Sequence, residues 1–149
     1  MIRDREAEIV FVEDNPHDME MIVESLRDQN LGNRVAVLKD GAEALEYFFG
    51  PDSSSDLSLS RAPKVVVLDL KLPKVNGLEV LRQLKSDSRT RDIPIVIFTS
   101  SDEECDRIDS YRMGANSYAV KPLDSDQFAR VVSEIGRYWL FLNKSSHNN

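Results

Sequence analysis

The chain has one cysteine in 149 residues, Cys105, so no internal disulfide can form. No Cys-x-x-Cys pair offers thiolates to a structural metal. Basic charge is also short: 19 Lys and Arg stand against 26 Asp and Glu, a formal net charge of −7. A phosphate backbone needs a basic footprint, so nucleic acid is excluded as a partner. No apolar run approaches the roughly 18 residues of a spanning helix, which excludes a membrane role. The opening Met1-Ile2-Arg3-Asp4-Arg5-Glu6 lacks the apolar core of a signal peptide. A cytoplasmic protein is the expectation. The histidines are few, and His17 reads as an exposed helix residue.

What is present is a set of short apolar runs that end on charge. Val65-Val66-Val67-Leu68 is an unbroken, β-branched run, the pattern of a strand buried on both faces in a parallel sheet. It stops on Asp69, and loop chemistry follows at Pro73 and Asn76-Gly77. A carboxylate at the end of a buried strand is costly without a partner. In open α/β sheets that edge is where ligands bind.

The rest of the chain repeats the arrangement. Ile9-Val10-Phe11-Val12 ends on Glu13-Asp14, with Asn15 as N-cap and Pro16 in the first turn of a helix running to about Asn30. Val35 to Leu38 is a second strand, and Asp40 or Gly41 opens a helix that Gly50-Pro51 stops. Residues 51–63 are rich in Ser and Asp and predict a mobile insertion. A helix follows Asn76-Gly77, then a strand from Ile95 to Phe98 ends on Thr99. Asp102 is the expected cap of a weakly amphipathic helix that closes at Gly114. Ser117 to Val120 leads to Lys121-Pro122, and a last helix starts at Asp124; residues 143–149 predict a disordered tail. Five strands alternating with five helices imply a single flavodoxin-like α/β domain, core about 8–142, doubly wound with strand order 2-1-3-4-5 and helices on both faces.

In that order Glu13, Asp14, Asp69, Thr99 and Lys121 meet at one edge. Adjacent carboxylates repel, and a divalent cation relieves them; Mg²⁺ takes one or two carboxylates with other oxygens completing its shell. A carboxylate can also attack phosphorus to give an aspartyl phosphate. Thr99 supplies a hydroxyl donor and Lys121 a point charge for phosphoryl oxygens. Together these residue types make a phosphoryl-acceptor site.

Val12-Glu13-Asp14-Asn15, Leu68-Asp69-Leu70-Lys71-Leu72-Pro73 with Gly77, Phe98-Thr99-Ser100 and Val120-Lys121-Pro122 resemble the receiver domain of two-component response regulators. The Asp-Asn-Pro opening, the insertion before Asp69, Gly114 to Tyr118 and the Phe128…Tyr138-Trp139 helix resemble the stand-alone regulators associated with phytochrome kinases. The resemblance implies that Asp69 is the phosphoacceptor. It implies Mg²⁺ on Asp14, Asp69 and the backbone carbonyl of Lys71, with Glu13 acting directly or through water. Thr99 and Lys121 then read the phosphoryl group, Tyr118 changes rotamer with them, and the bond before Pro122 is cis. The implied partners are a sensor histidine kinase, phytochrome-like in kind, and a downstream histidine phosphotransfer protein or another protein target. Lys71 and Ser101, flanking the phosphate, are poorly suited to orient an attacking water, which predicts slow self-dephosphorylation.

Tyr138-Trp139-Leu140-Phe141-Leu142 is apolar all round its helix. That predicts a homodimer in which Phe128, Tyr138, Trp139 and Phe141 contribute to the interface. Two other function classes compete. A phosphatase working through its own aspartyl phosphate needs an acid two residues after the nucleophile, where Lys71 stands. A flavodoxin-like cofactor binder needs a phosphate loop after Val12, where two acids stand instead. A pseudo-receiver that is never phosphorylated is the remaining alternative.

Overall fold

The computed structural model describes residues 7–50 and 62–145. Five strands, β1 (Ile9–Val12), β2 (Val35–Leu38), β3 (Val65–Leu68), β4 (Ile95–Thr99) and β5 (Ser117–Val120), alternate with five helices. These are α1 (Pro16–Asp28), α2 (Gly41–Phe49), α3 (Gly77–Ser86), α4 (Glu104–Arg112) and α5 (Ser125–Arg137), the last continued by a π-helical turn at Tyr138–Leu142. The sheet order is β2-β1-β3-β4-β5, every pair parallel, as the alternation of elements predicts.

Alternation along each strand splits the core in two. Val10, Val12, Val66, Leu68, Ile95 and Ile97 pack on α2 and α3 through Phe48, Val80, Leu81 and Leu84. Ile9, Phe11, Val65, Val67, Val96 and Phe98 pack on α1 and α5 through Ile22, Leu26, Phe128 and Val132. Burial of both faces is why these strands read as continuous apolar runs. β5 is an edge strand and only partly covered.

Helix starts follow the expected cap chemistry. Asn15 accepts from the Asp18 N–H, Asp40 from Glu43, Asn76 from Glu79 and Asp124 from Gln127. The exception is α4: its N-cap is Glu103, one residue past the expected Asp102, and no side chain caps it. This helix buries only Ser110, so it is held by few apolar contacts.

Gly77 lets α3 begin against the loop that carries Asp69. A Cβ there falls 2.2 Å from the Asp69 carbonyl oxygen and 2.5 Å from Leu70 Cα. Backbone cannot yield as a flexible side chain can. Gly77→Ala is therefore expected to cost about 1–3 kcal/mol, the range of core overpacking. Thermal melting checks this; an unchanged Tm removes the claim.

Asn143 donates its N–H to the Tyr138 carbonyl at 2.7 Å, so the expected tail starts after a closed turn. Most of the expected 51–63 insertion, and residues 146–149, lie outside the described residues. Within the insertion's end, Pro63 is buried and Lys64 pairs its N–H with the Glu8 carbonyl.

Candidate functional site

The parallel ladder runs one residue beyond the strands, and that fixes the site. Asp69 donates its N–H to the Val12 carbonyl at 3.1 Å, Glu13 to Leu38 at 2.9 Å, and Lys121 to Thr99 at 2.7 Å. The first residue after each of β1, β3 and β5 is therefore held with strand precision. Asp14 sits between Glu13 and the cap of α1, where the Glu13 carboxylate also accepts the Asn15 N–H.

At this edge Glu13, Asp14 and Asp69 each bring a carboxylate oxygen within 4.8 Å of the others. Glu13 is 2% exposed and Asp69 6%. Lys121 Nζ lies 2.7 Å from Glu13 Oε1, 2.8 Å from Asp69 Oδ2 and 2.8 Å from Asp18 Oδ2, with its side chain 8% exposed. Burial pushes the Glu13 carboxyl up to about 7, against the pull of the Lys121 ammonium. Burial also pulls Lys121 down, but its bonds to Asp18, Asp69 and Glu13 outweigh this and hold it above the ordinary lysine range.

The donor set suits a hard divalent cation. It is all oxygen, and one ammonium faces an excess of carboxylate. The Asp14 side chain makes no hydrogen bond or ion pair among the described residues. It is the carboxylate left over for a metal.

Thr99 is fully buried at the end of β4. Its hydroxyl accepts the Ser101 N–H at 3.4 Å, and no hydrogen bond joins it to Asp69 or Lys121 among the described residues. Tyr118 Oη donates to the Ser101 carbonyl at 2.9 Å. Ser101 in turn donates its hydroxyl to Asp106 Oδ2 at 2.5 Å and accepts the Glu103 N–H at 3.3 Å. The side chain of Lys71 is exposed, while its N–H donates to Asp69 Oδ1 at 3.2 Å.

Two expectations are corrected. No peptide bond is cis among the described residues, so Lys121-Pro122 is trans. Trans is the lower state of X–Pro bonds by about 0.5–1 kcal/mol, and with it Lys121 still reaches all three carboxylates. Phe128 does not belong to a surface: it is 2% exposed and its ring lies 5.3 Å from that of Phe98. The α5 stripe that contains it is the one that covers the sheet. Tyr138 and Phe141 are exposed, Trp139 is half-buried, and Leu140 turns into the core.

Asp18 is the residue that sequence reading missed. It stands in the first turn of α1, and only the packing of that turn over the strand ends brings it to Lys121. An acid three residues beyond an N-cap at this edge was the available signal.

Residues 9–133 match the response regulator receiver domain family. The chain is 38% identical over 137 residues to the probable methanogenesis regulatory protein FilR2 of Methanothrix harundinacea, covering 92% of this chain and 86% of that one. It is 31% identical over 132 residues to response regulator Rcp1 of Synechocystis, covering 89% and 88%. A crystal structure of the Mn²⁺-bound form of Rcp1 superposes with a TM-score of 0.80 at 29% identity, covering 93% and 98%. That of the phosphorylated cyanobacterial phytochrome response regulator RcpA gives 0.81 at 32%, covering 95% and 99%. Since the match runs from β1 into α5 and spans every strand end that builds the acidic edge, the chain belongs to the response regulator receiver domain family.

Proposed function

We propose that Asp69 accepts a phosphoryl group from a sensor histidine kinase in a phosphorelay, and that the signal leaves by protein–protein contact. The observation that carries this reading is a buried Asp69 carboxylate, 2.8 Å from the Lys121 ammonium and beside two further acids. In the step, an Asp69 oxygen bonds to phosphorus as the bond from phosphorus to the kinase histidine nitrogen breaks. The electron pair stays on that nitrogen, which takes up a proton. Asp14, Asp69 and the Lys71 carbonyl are the residues to hold Mg²⁺, with Glu13 direct or through water. Bound there, the ion supplies charge neutralisation for the transferred group. Lys121 offers the phosphoryl oxygens a cation, and Thr99 a hydroxyl that accepts the Ser101 N–H. Movement of Thr99 bears on Ser101 and so on the Tyr118 hydroxyl, the switch pair of this reading.

Similarity to RcpA supports a phytochrome-type kinase as the donor. The exposed Tyr138, Phe141 and Leu142 beyond α5 support a homodimer built there.

Phosphoryl uptake from acetyl phosphate, read by mass spectrometry with Mg²⁺ and with a chelator, tests the chemistry. One phosphoryl group is expected, and only with Mg²⁺. No gain in folded protein overturns the reading in favour of a pseudo-receiver. The same sample gives the lifetime. With the Ser101 hydroxyl committed to Asp106 and Lys71 carrying no carboxylate or amide, neither of these two side chains is suited to orient an attacking water. The phosphorylated form is expected to persist for far longer than seconds after the donor is removed.

A further inference from the structure

We propose that Asp18 is a positioning residue that shares the Lys121 ammonium with the phosphoacceptor and so restrains phosphoryl uptake. The inference rests on the receiver chemistry proposed above.

An ammonium has three N–H donors. Lys121 Nζ donates to Asp18 and Asp69, each at 2.8 Å, and lies 2.7 Å from Glu13 Oε1 as an ion pair, so three carboxylates compete with a phosphoryl oxygen for it. The side chain is nearly closed to solvent. One bond must loosen before the lysine can serve an incoming group. Glu13 and Asp69 belong to the carboxylate cluster suited to a divalent cation, and a cation there competes with the ammonium for the same oxygens. Asp18 stands outside that cluster. Its own N–H is fixed by the Asn15 side chain at 3.0 Å, and the first turn of α1 favours its negative charge. As the other two bonds weaken, Asp18 keeps its hold and draws the ammonium toward α1.

Asp18 also adds negative charge to an edge that must admit an anionic phosphoryl donor. Both effects slow uptake. They act oppositely on the cation, because the Asp18 charge and its grip on Lys121 leave the carboxylates freer for Mg²⁺. The two effects of removing Asp18 are therefore expected to run in opposite directions.

The test uses the full chain with Asp18→Asn, which keeps an acceptor oxygen and loses the charge, and Asp18→Ala, which loses both. Circular dichroism melting checks each fold. At saturating Mg²⁺, uptake from acetyl phosphate is expected to rise about threefold to tenfold, the effect of one charge a few ångströms away screened about as strongly as in water. Mg²⁺ affinity, read by calorimetry without any phosphoryl donor, is expected to fall by a similar factor. A residue that only supports the fold lowers both or moves neither. Slower or unchanged uptake in folded Asp18→Asn overturns the proposal while wild-type uptake leaves the receiver chemistry standing. Should wild type take up nothing, the receiver reading and this inference fall together. If Asp18→Asn does not fold, the same pair of readings on Asp18→Ala decides.

Discussion

Asp69→Asn is expected to stay folded and to lose phosphoryl uptake from acetyl phosphate by roughly 10³-fold or more, the scale seen when a nucleophile is removed. The amide is nearly the same shape and keeps an oxygen for the Lys121 ammonium that now contacts Asp69 Oδ2 at 2.8 Å. With that oxygen on Lys121, the amide NH2 faces the Lys71 N–H that now reaches Oδ1 at 3.2 Å, so this one longer bond is lost. What the amide lacks is the carboxylate electron pair that attacks phosphorus. Loss of that negative charge also relieves repulsion from Glu13 and Asp14, so the Tm is expected to hold or rise. Uptake at a wild-type rate with an intact fold would place the phosphoryl group elsewhere. Peptide mapping would then name the residue. Mg²⁺ binding is expected to weaken in the same variant, because one of the clustered carboxylates has gone.

Much of this was legible because the strands are buried on both faces. Such strands must be apolar throughout, so the first charge marks both the end of the strand and the edge of the sheet. Asp69 and Glu13 are each that first charge, Lys121 is the first charge after the partly covered β5, and the ladder continues through all three. Caps were equally plain, since Asn15, Asp40, Asn76 and Asp124 each accept from the N–H three residues on. What was not legible depends on packing between elements. Asp18 becomes part of the site only when α1 lies over the strand ends. Phe128 and Phe141 look alike in a list of aromatics, yet α5 turns one inward and its π-helical extension turns the other out. The start of α4 slipped by one residue because Ser101, rather than Asp102, organises that loop: its hydroxyl joins the Glu103 N–H to the Asp106 carboxylate. The Ser101 carbonyl accepts the Tyr118 hydroxyl and so ties the loop after Thr99 to β5. A helix with so little buried surface is therefore governed by polar contacts at the site end.

Lys121→Met is expected to be the most destabilising single change at the site, and Mg²⁺ is expected to offset much of it. Methionine fills most of the volume but removes the cation that touches Glu13, Asp18 and Asp69. Taking one partner from a buried ion pair costs about 3–5 kcal/mol, since the remaining charge stays desolvated. In a domain of this length that lowers Tm by about 6–20 °C at neutral pH in the presence of a chelator. The cost is a matter of charge rather than of shape, so a divalent cation on Glu13, Asp14 and Asp69 can meet part of it. A ligand held at a hundred times its Kd stabilises by about 2.7 kcal/mol. Without the competing ammonium, Mg²⁺ is also expected to bind the variant more tightly than wild type. Melting with and without Mg²⁺ therefore separates two accounts of the lysine. If it balances charge, the variant melts far lower than wild type in chelator and the gap narrows with the ion. If it acts mainly through packing of its aliphatic stem, methionine preserves that contact, and both curves stay close to wild type. Phosphoryl uptake distinguishes a further role. Recovery of stability by Mg²⁺ without recovery of uptake means that the ammonium serves the transferred group directly, beyond its part in holding the acids together.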